Sequence, residues 1–433
     1  MKRLRSLLAA GAYTGLLLWV YATFLSPIFS YEGYTLKWPG AAMMIWLLVL
    51  ALAPAVLLPH SLSRPSAFIV WWLYLAAYIP SILVPALSLN MSWEKLLPLH
   101  LSLLLSMGFL CLACSARVLA LGQLQLNPTL FWSTFVLIWV AGLAFASAKS
   151  SVVANIGSVL RGATEYDIRS QVYEIFGGGD RVLGYVLGEL GQALNPFLIA
   201  QGIVSRRGLY LAAGIIGQVI VFGVTGLKSV VLSAIFLPLA FLLIRRWRNN
   251  FGLAFTSGVI VIMLACMTAD RVTGNIIFSS LFTRRTLAGP GLLTGFYFDH
   301  YSQVSHVGVA YHWHRDPSVL DASREIGLVY FGSSNVDANA NLWAEGFADL
   351  GVPGILGFTL ITGLMIWLYD SVASRRNLEL AVLLAVMPAV ALSNSAPTTV
   401  LVTHGGLAAA MLLYLVPLTP GEAAEPEERH APA

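Results

Sequence analysis

Residues 66–88 read SAFIVWWLYLAAYIPSILVPALS and contain no charged side chain. An uninterrupted apolar run near 20 residues is the length a helix needs to cross about 30 Å of hydrocarbon at roughly 1.5 Å per residue. A membrane strand would instead alternate apolar and polar positions over about ten residues. The whole chain is built to the same pattern. Of its 433 residues 58% are hydrophobic and only 11% charged, with a mean hydropathy of +0.76, whereas a soluble domain carries about 25% charged residues. A water-facing surface of this size cannot be covered by so few polar side chains. The expected fold is therefore an all-α polytopic membrane protein.

Twelve spans are expected, near 7–25, 40–59, 66–88, 96–115, 128–147, 183–203, 208–225, 229–244, 251–268, 352–369, 378–396 and 399–417. They form a single transmembrane domain over residues 1–418, and the polar tail 419–433 reads as disordered. The first apolar run is long and reads as a span rather than a cleaved signal. Cys111, Cys114 and Cys266 all fall inside apolar runs, where cysteine serves as a small hydrophobe. The net charge of +4 is spread over span ends rather than gathered in one patch, which argues against nucleic acid as a partner.

Basic residues in short loops orient such a bundle. With a cytoplasmic N-terminus, one side receives Lys2, Arg3, Arg5, Arg64, Arg117, Arg206, Arg207, Arg245, Arg246, Arg248, Arg375 and Arg376. The short loops of the other side hold only Lys37, Lys95 and Lys228. Both termini are then cytoplasmic, and two longer loops, about 148–182 and 269–348, face outward.

Those loops concentrate the polar chemistry. In the first, Val152, Ile156, Val159 and Leu160 share one helical face, as in a short interfacial helix. The second holds Arg271, Arg284, Arg285, Arg315 and Arg324, with His300, His306, His312 and His314. Within it, Asp316-Pro317 is a helix start and Gly327 a stop. His312 and His314 have no third ligand at a familiar metal spacing and read as surface histidines. His300, beside Asp299, is an acid/base candidate, because a neighbouring carboxylate favours the charged imidazole. The aromatics around it, Phe296, Tyr297, Phe298 and Tyr301 among them, suit either sugar stacking or anchoring in the interface.

In DANANLWAEGFADLGVPG (337–354), Asp337, Asn341, Glu345 and Asp349 recur every fourth residue, which in a helix makes one polar ridge. Gly351, Pro353 and Gly354 break the chain before the next span. Glu345 is a general-base candidate if Trp343 and Phe347 desolvate it; the alternative is an ordinary amphipathic helix leading into the span. Lys228 stands alone in a tight turn, either extending to the outer surface or meeting a lipid phosphate. Glu189 is the main charge within a span, either a proton or cation site or a side chain hydrogen-bonded to a neighbour such as Gln192.

Three stretches, YDIR (166–169), TGLKS (225–229) and YFGSSNVDANANLWAEGFADLGVPG (330–354), resemble the polytopic oligosaccharide-repeat-unit polymerases of bacterial envelopes, the Wzy-type O-antigen polymerases. Where related enzymes often place arginine at the tight turn, this chain has Lys228, which keeps the cation and loses the bidentate fork. The resemblance implies a GT-C-like bundle in the bacterial inner membrane with a periplasmic active site. It implies glycosyl transfer between undecaprenyl-pyrophosphate-linked oligosaccharides, making O-antigen, capsule or exopolysaccharide without metal or other cofactor. A chain-length regulator and a flippase are the implied protein partners. Arg169, Lys228, Arg271, Arg284 and Arg285 would hold the pyrophosphate; Glu345 or His300 would serve the acceptor hydroxyl; Asn339, Asn341, Trp343 and Tyr301 would meet the glycan. The alternatives are an O-antigen ligase acting on a lipid A core, or a transporter or flippase for lipid-linked sugars.

Overall fold

The computed structural model describes residues 2–89, 91–119, 121–122, 124, 126–149, 181–226, 228–308 and 320–418. All regular secondary structure among them is helical. The candidate residue Arg169, the interfacial helix expected near 152–160, the Asp316-Pro317 helix start, His312, His314 and the tail 419–433 lie outside the described residues, as does the side chain of Lys228.

Eight helices among the described residues are long and apolar enough to cross a membrane, or nine if a pair bent by 52°, Pro397–Thr403 and Gly406–Leu415, is one span. The difference from the expected twelve has identifiable sources. Ala41–Val56 and Leu378–Leu392 are apolar but short. The runs expected at 229–244 and 251–268 belong to one helical stretch, Ser233–Thr273, interrupted by a 3-10 turn, Arg248–Asn250, with non-helical dihedrals at Trp247 and Asn250. At 41 residues it holds enough residues for two spans of about 20 each.

The chain forms two compact units. The first comprises residues 1–117, 247–367 and 389–398, the second 118–246, 368–388 and 399–433. Pro65–Ser88 is the spine of the first unit, and every one of its residues is buried. That explains its lack of a polar face: a helix enclosed on all sides is apolar all round. It includes a π-helical turn, Tyr74–Tyr78. The phenols of Tyr74 and Tyr78 donate to Ala51 O and Leu50 O, each at 2.8 Å, so the buried hydroxyls are satisfied.

Each end of this spine gathers its own connections. At the Pro65 end, Arg64 donates to Cys114 O at 3.3 Å and Ala116 O at 2.6 Å. Arg248 Nε donates to Leu62 O at 3.1 Å, and Leu62 N to Arg248 O at 2.8 Å. At the Ser88 end, Thr35 Oγ1 donates to Ser88 O at 2.6 Å and Lys37 N to Leu87 O at 2.9 Å. The ends lie about 36 Å apart along a helix of 24 residues.

The stretch expected as a long loop, 269–348, is largely helical. Phe251–Thr273 carries the preceding helix into it, and Gly289–Tyr301, Ala322–Phe331 and Leu342–Leu350 follow. Gly289–Tyr301 runs parallel to the spine. A Cβ at Gly291 would collide with Pro80 O, and one at Gly295 would meet Leu89 at 2.8 Å and Pro85 at 3.1 Å. Rising together along both helices, these contacts carry the end of Gly289–Tyr301 to the Ser88 end.

In the second unit, polar residues inside apolar helices satisfy one another. Trp139 Nε1 donates to Asn195 Oδ1 at 2.7 Å, Asn195 Nδ2 to Gln218 Oε1 at 3.2 Å, and Gln218 Nε2 to Ser233 Oγ at 2.7 Å and Gly191 O at 2.9 Å. Such bonds hold helices together where no water competes. Glu189 precedes the π-helical turn Leu190–Leu194. Its Oε2 is enclosed without a hydrogen-bond partner among the described residues, so the bond expected from Gln192 is not made to that oxygen.

Candidate functional site

The site is built on the short helix Leu342–Leu350. Asn341 caps it, Oδ1 accepting from Trp343 N at 3.0 Å and Ala344 N at 3.2 Å. Its Nδ2 donates to Thr294 Oγ1 at 2.7 Å and Pro290 O at 3.1 Å, and Thr294 Oγ1 lies 2.9 Å from Ser81 Oγ. One buried amide therefore fastens this helix to Gly289–Tyr301 and the spine. At its far end Gly351 takes φ +66 and Val352–Ala373 begins, the break read from Gly351, Pro353 and Gly354. Gly346 and Gly354 meet backbone to backbone, each in the space a Cβ would fill.

This mounting fixes Glu345, which is partly buried. Its Oε1 lies 3.1 Å from Tyr297 OH and accepts from Ala340 N at 3.4 Å. Burial pushes its carboxyl up to about 7; the bonds from Ala340 and Tyr297 oppose the rise, and the charges of Asp349 and Asp321 add to it. Tyr297 OH also lies 3.1 Å from Ala338 O. With a single proton the phenol serves one acceptor fully, so a protonated Glu345 donating to the phenol while the phenol donates to Ala338 O satisfies all three groups. Burial also raises the Tyr297 phenol well above its ordinary range, which keeps it a donor. Glu345 is thus poised to exchange a proton near neutrality.

The next turn of the helix that carries Tyr297 holds a second carboxylate, Glu325, from another helix. His300 Nε2 meets Glu325 Oε1 at 2.8 Å, and Tyr301 OH donates to Glu325 Oε2 at 2.8 Å. Asp299, the partner expected for His300, instead accepts from Tyr330 OH at 2.8 Å and Gln303 Nε2 at 3.3 Å. Successive side chains on a helix diverge by about 100°, so residues 299 and 300 face different neighbours. Glu325 stands in the first turn of Ala322–Phe331, which Asp321 caps through Arg324 N at 3.0 Å.

Several expectations need correction. The polar ridge is incomplete: Asp337 precedes the helix and pairs with Arg324 at 3.4 Å, Asn341 is the cap, and only Glu345 and Asp349 lie on the helix. Gly327 does not stop a helix; Ala322–Phe331 continues to Gly332, and Gly327 is small because a Cβ would collide with Val336 O. Of the glycan candidates, Asn339 is exposed, while Asn341, Trp343 and Tyr301 are interior. Trp343 Nε1 donates to Thr359 Oγ1 at 3.1 Å, and the polar groups of Asn341 and Tyr301 are taken up as described above.

The arginines also part company. Arg284 is buried, paired with Glu32, and donates from Nε and Nη2 to Ser280 Oγ at 3.0 and 2.8 Å. Its guanidinium lies 4.5 Å over the Phe29 ring. It locks the π-helical segment Ser280–Ala288 to the end of the first helical span, Arg3–Glu32, so its fork is not open to a phosphate. Arg271 and Arg285 are exposed. No motif spacing connects Glu32 to Arg284, or Glu325 to His300; both pairs are products of the fold. Among the described residues, no group of three or more His, Cys, Asp or Glu side chains is placed to hold a metal ion. Comparison of the chain with family models, curated proteins and solved structures returned no match.

Proposed function

We propose that the chain is a glycosyltransferase of the bacterial inner membrane that joins undecaprenyl-pyrophosphate-linked oligosaccharide repeat units into a polymer. The observation that carries this is Glu345: a partly buried carboxyl of raised pKa, hydrogen-bonded to a phenol, within the stretch that resembles the repeat-unit polymerases. Glu345 takes the proton of an acceptor sugar hydroxyl. The hydroxyl oxygen bonds to the anomeric carbon of the donor, and the bond from that carbon to the lipid pyrophosphate breaks. Exposed Arg271 and Arg285, with Arg169 and Lys228, offset charge on the leaving pyrophosphate, since charge-assisted bonds contribute about 1.5–3 kcal/mol each. Arg284 keeps its internal pairing, and Asn339 is the exposed group available to sugar hydroxyls.

The finer topology belongs to the same proposal: twelve spans, cytoplasmic termini and a periplasmic site, with a chain-length regulator and a flippase as neighbours. The clustering of Arg64 and Arg248 at one end of Pro65–Ser88, with Tyr297 and His300 carried to the other, supports that orientation. The test is a reconstituted assay with lipid-linked repeat units and no lipopolysaccharide core. Lengthening of the lipid-linked glycan is expected. Transfer that appears only on adding core would replace this function with ligation, and movement of lipid-linked sugar across vesicles without polymer would replace it with transport.

A further inference from the structure

The Glu345 centre does not use the pair formed by His300 and Glu325. Two partners from one helical turn occupy the two oxygens of Glu325, His300 Nε2 and Tyr301 OH, each at 2.8 Å. The His300 side chain is 13% exposed and that of Glu325 33%, so the pair is held within the fold yet reachable. A carboxylate only accepts, so the bond to Glu325 places a proton on Nε2 and leaves Nδ1 as the ring nitrogen not engaged by Glu325. With both nitrogens protonated the ring is a cation that Glu325 balances, and Nδ1–H is a charge-assisted donor.

Glycosyl transfer needs positive charge at the departing phosphate, and the guanidinium of Arg284 is occupied by Glu32 and Ser280. His300 lies three residues beyond Tyr297, the hydrogen-bond partner of Glu345, on the same helix. We infer that His300 Nδ1 binds a phosphate oxygen of the lipid pyrophosphate donor, and that Glu325 is the positioning residue that fixes and balances its ring; this rests on the glycosyl-transfer reading. In the transfer step the acceptor proton goes to Glu345, and the new bond forms between the acceptor oxygen and the anomeric carbon. The electron pair of the broken carbon–oxygen bond stays on the phosphate. His300 donates a hydrogen bond to that oxygen and keeps its proton, and Tyr301 steadies Glu325 from the other side.

The test is binding of farnesyl pyrophosphate to the full chain in detergent, with farnesol and inorganic pyrophosphate as separate arms. Wild type is expected to prefer farnesyl pyrophosphate to farnesol. Competition by inorganic pyrophosphate reports the headgroup alone. His300→Gln and Glu325→Gln are expected to weaken farnesyl pyrophosphate about tenfold or more, the loss of one charge-assisted bond. Glu325→Asp should recover part of the loss, and Glu345→Gln should retain binding, which a general collapse of the site would not produce. If Glu325→Gln does not elute as a monodisperse protein, His300→Gln and Glu325→Asp give the same comparison. Wild type that does not distinguish the pyrophosphate from the alcohol, or His300→Gln and Glu325→Gln proteins that bind as wild type does, would overturn the inference. Loss of binding in these variants alongside a wild type that makes no polymer would instead sink the transfer reading alone.

Discussion

Glu345 and Arg284 show how a buried charge takes opposite roles according to its partners. The Glu345 carboxyl is pushed up to about 7 because burial disfavours the anion. Its neutral form is therefore favoured in the folded protein. The stability it contributes is complete below its ordinary value of 4.5 and is lost as pH rises to about 7. Relative to Glu345→Gln, wild type should lose on the order of 3 kcal/mol between pH 4.5 and 8. Melting temperatures of the two proteins across that range check this, and a constant difference would count against the raised carboxyl. As a base, Glu345 requires wild-type turnover to rise through about pH 7 and level off, while Glu345→Gln falls by about 10²–10⁴-fold. Arg284 has the opposite setting, a guanidinium enclosed by Glu32, Ser280 and the Phe29 ring. Arg284→Met should lower stability by about 3–5 kcal/mol by stranding Glu32, and adding Glu32→Gln should recover part of it. Unchanged melting with a raised KM for the lipid donor would return Arg284 to the phosphate. The sequence displayed both charges but not their partners: Glu32 lies 252 residues from Arg284.

Helices of the first unit approach one another through glycine, and the approach sets where Glu345 stands. Gly346 and Gly354 share a backbone contact between Leu342–Leu350 and the helix that follows. Gly354→Ala should therefore lower stability by about 1–3 kcal/mol and reduce polymer yield, since backbone must move to admit the methyl. Gly357, three residues on, meets nothing within 4 Å of a built Cβ. Gly357→Ala should be neutral or stabilising by up to about 1 kcal/mol, the ordinary helix preference for alanine. Equal melting of the two variants would remove the packing account. This element was half legible from sequence. The break at Gly351 and Pro353 follows from local backbone chemistry and was readable. Asn341 was readable only as a polar repeat, because its role as a cap with partners at Pro290 and Thr294 depends on distant chain. Gly327 misled for a related reason: a glycine needed for close packing on Val336 looks like one needed for a helix stop.

For the molecule as a whole, continuous apolar runs were enough to identify a polytopic helical protein, because lipid leaves helices as the structure such runs can form. They were not enough to delimit spans. Ala41–Val56 and Leu378–Leu392 are shorter than their apolar runs, and Ser233–Thr273 joins two of them. Orientation rests on charge, and the first unit offers a direct test of it. Asn249 stands beside Arg248 near the Pro65 end of the spine, whereas Asn339 lies in the segment leading to Glu345; both are exposed. Cys111 and Cys114 are buried and Cys266 partly so, so Cys266→Ala gives a background of low reactivity. On that background Asn339→Cys should react with a membrane-impermeant maleimide in intact spheroplasts. Asn249→Cys should react only after lysis, because arginine-rich short loops are retained in the cytoplasm. The opposite pattern would put Glu345 on the cytoplasmic side, where a lipid-linked donor presented to the periplasm cannot reach it, and the proposed transfer would fail with the orientation. Equal labelling of both before lysis would mean that the spheroplasts leak, which a cytoplasmic marker enzyme scored in the same samples detects.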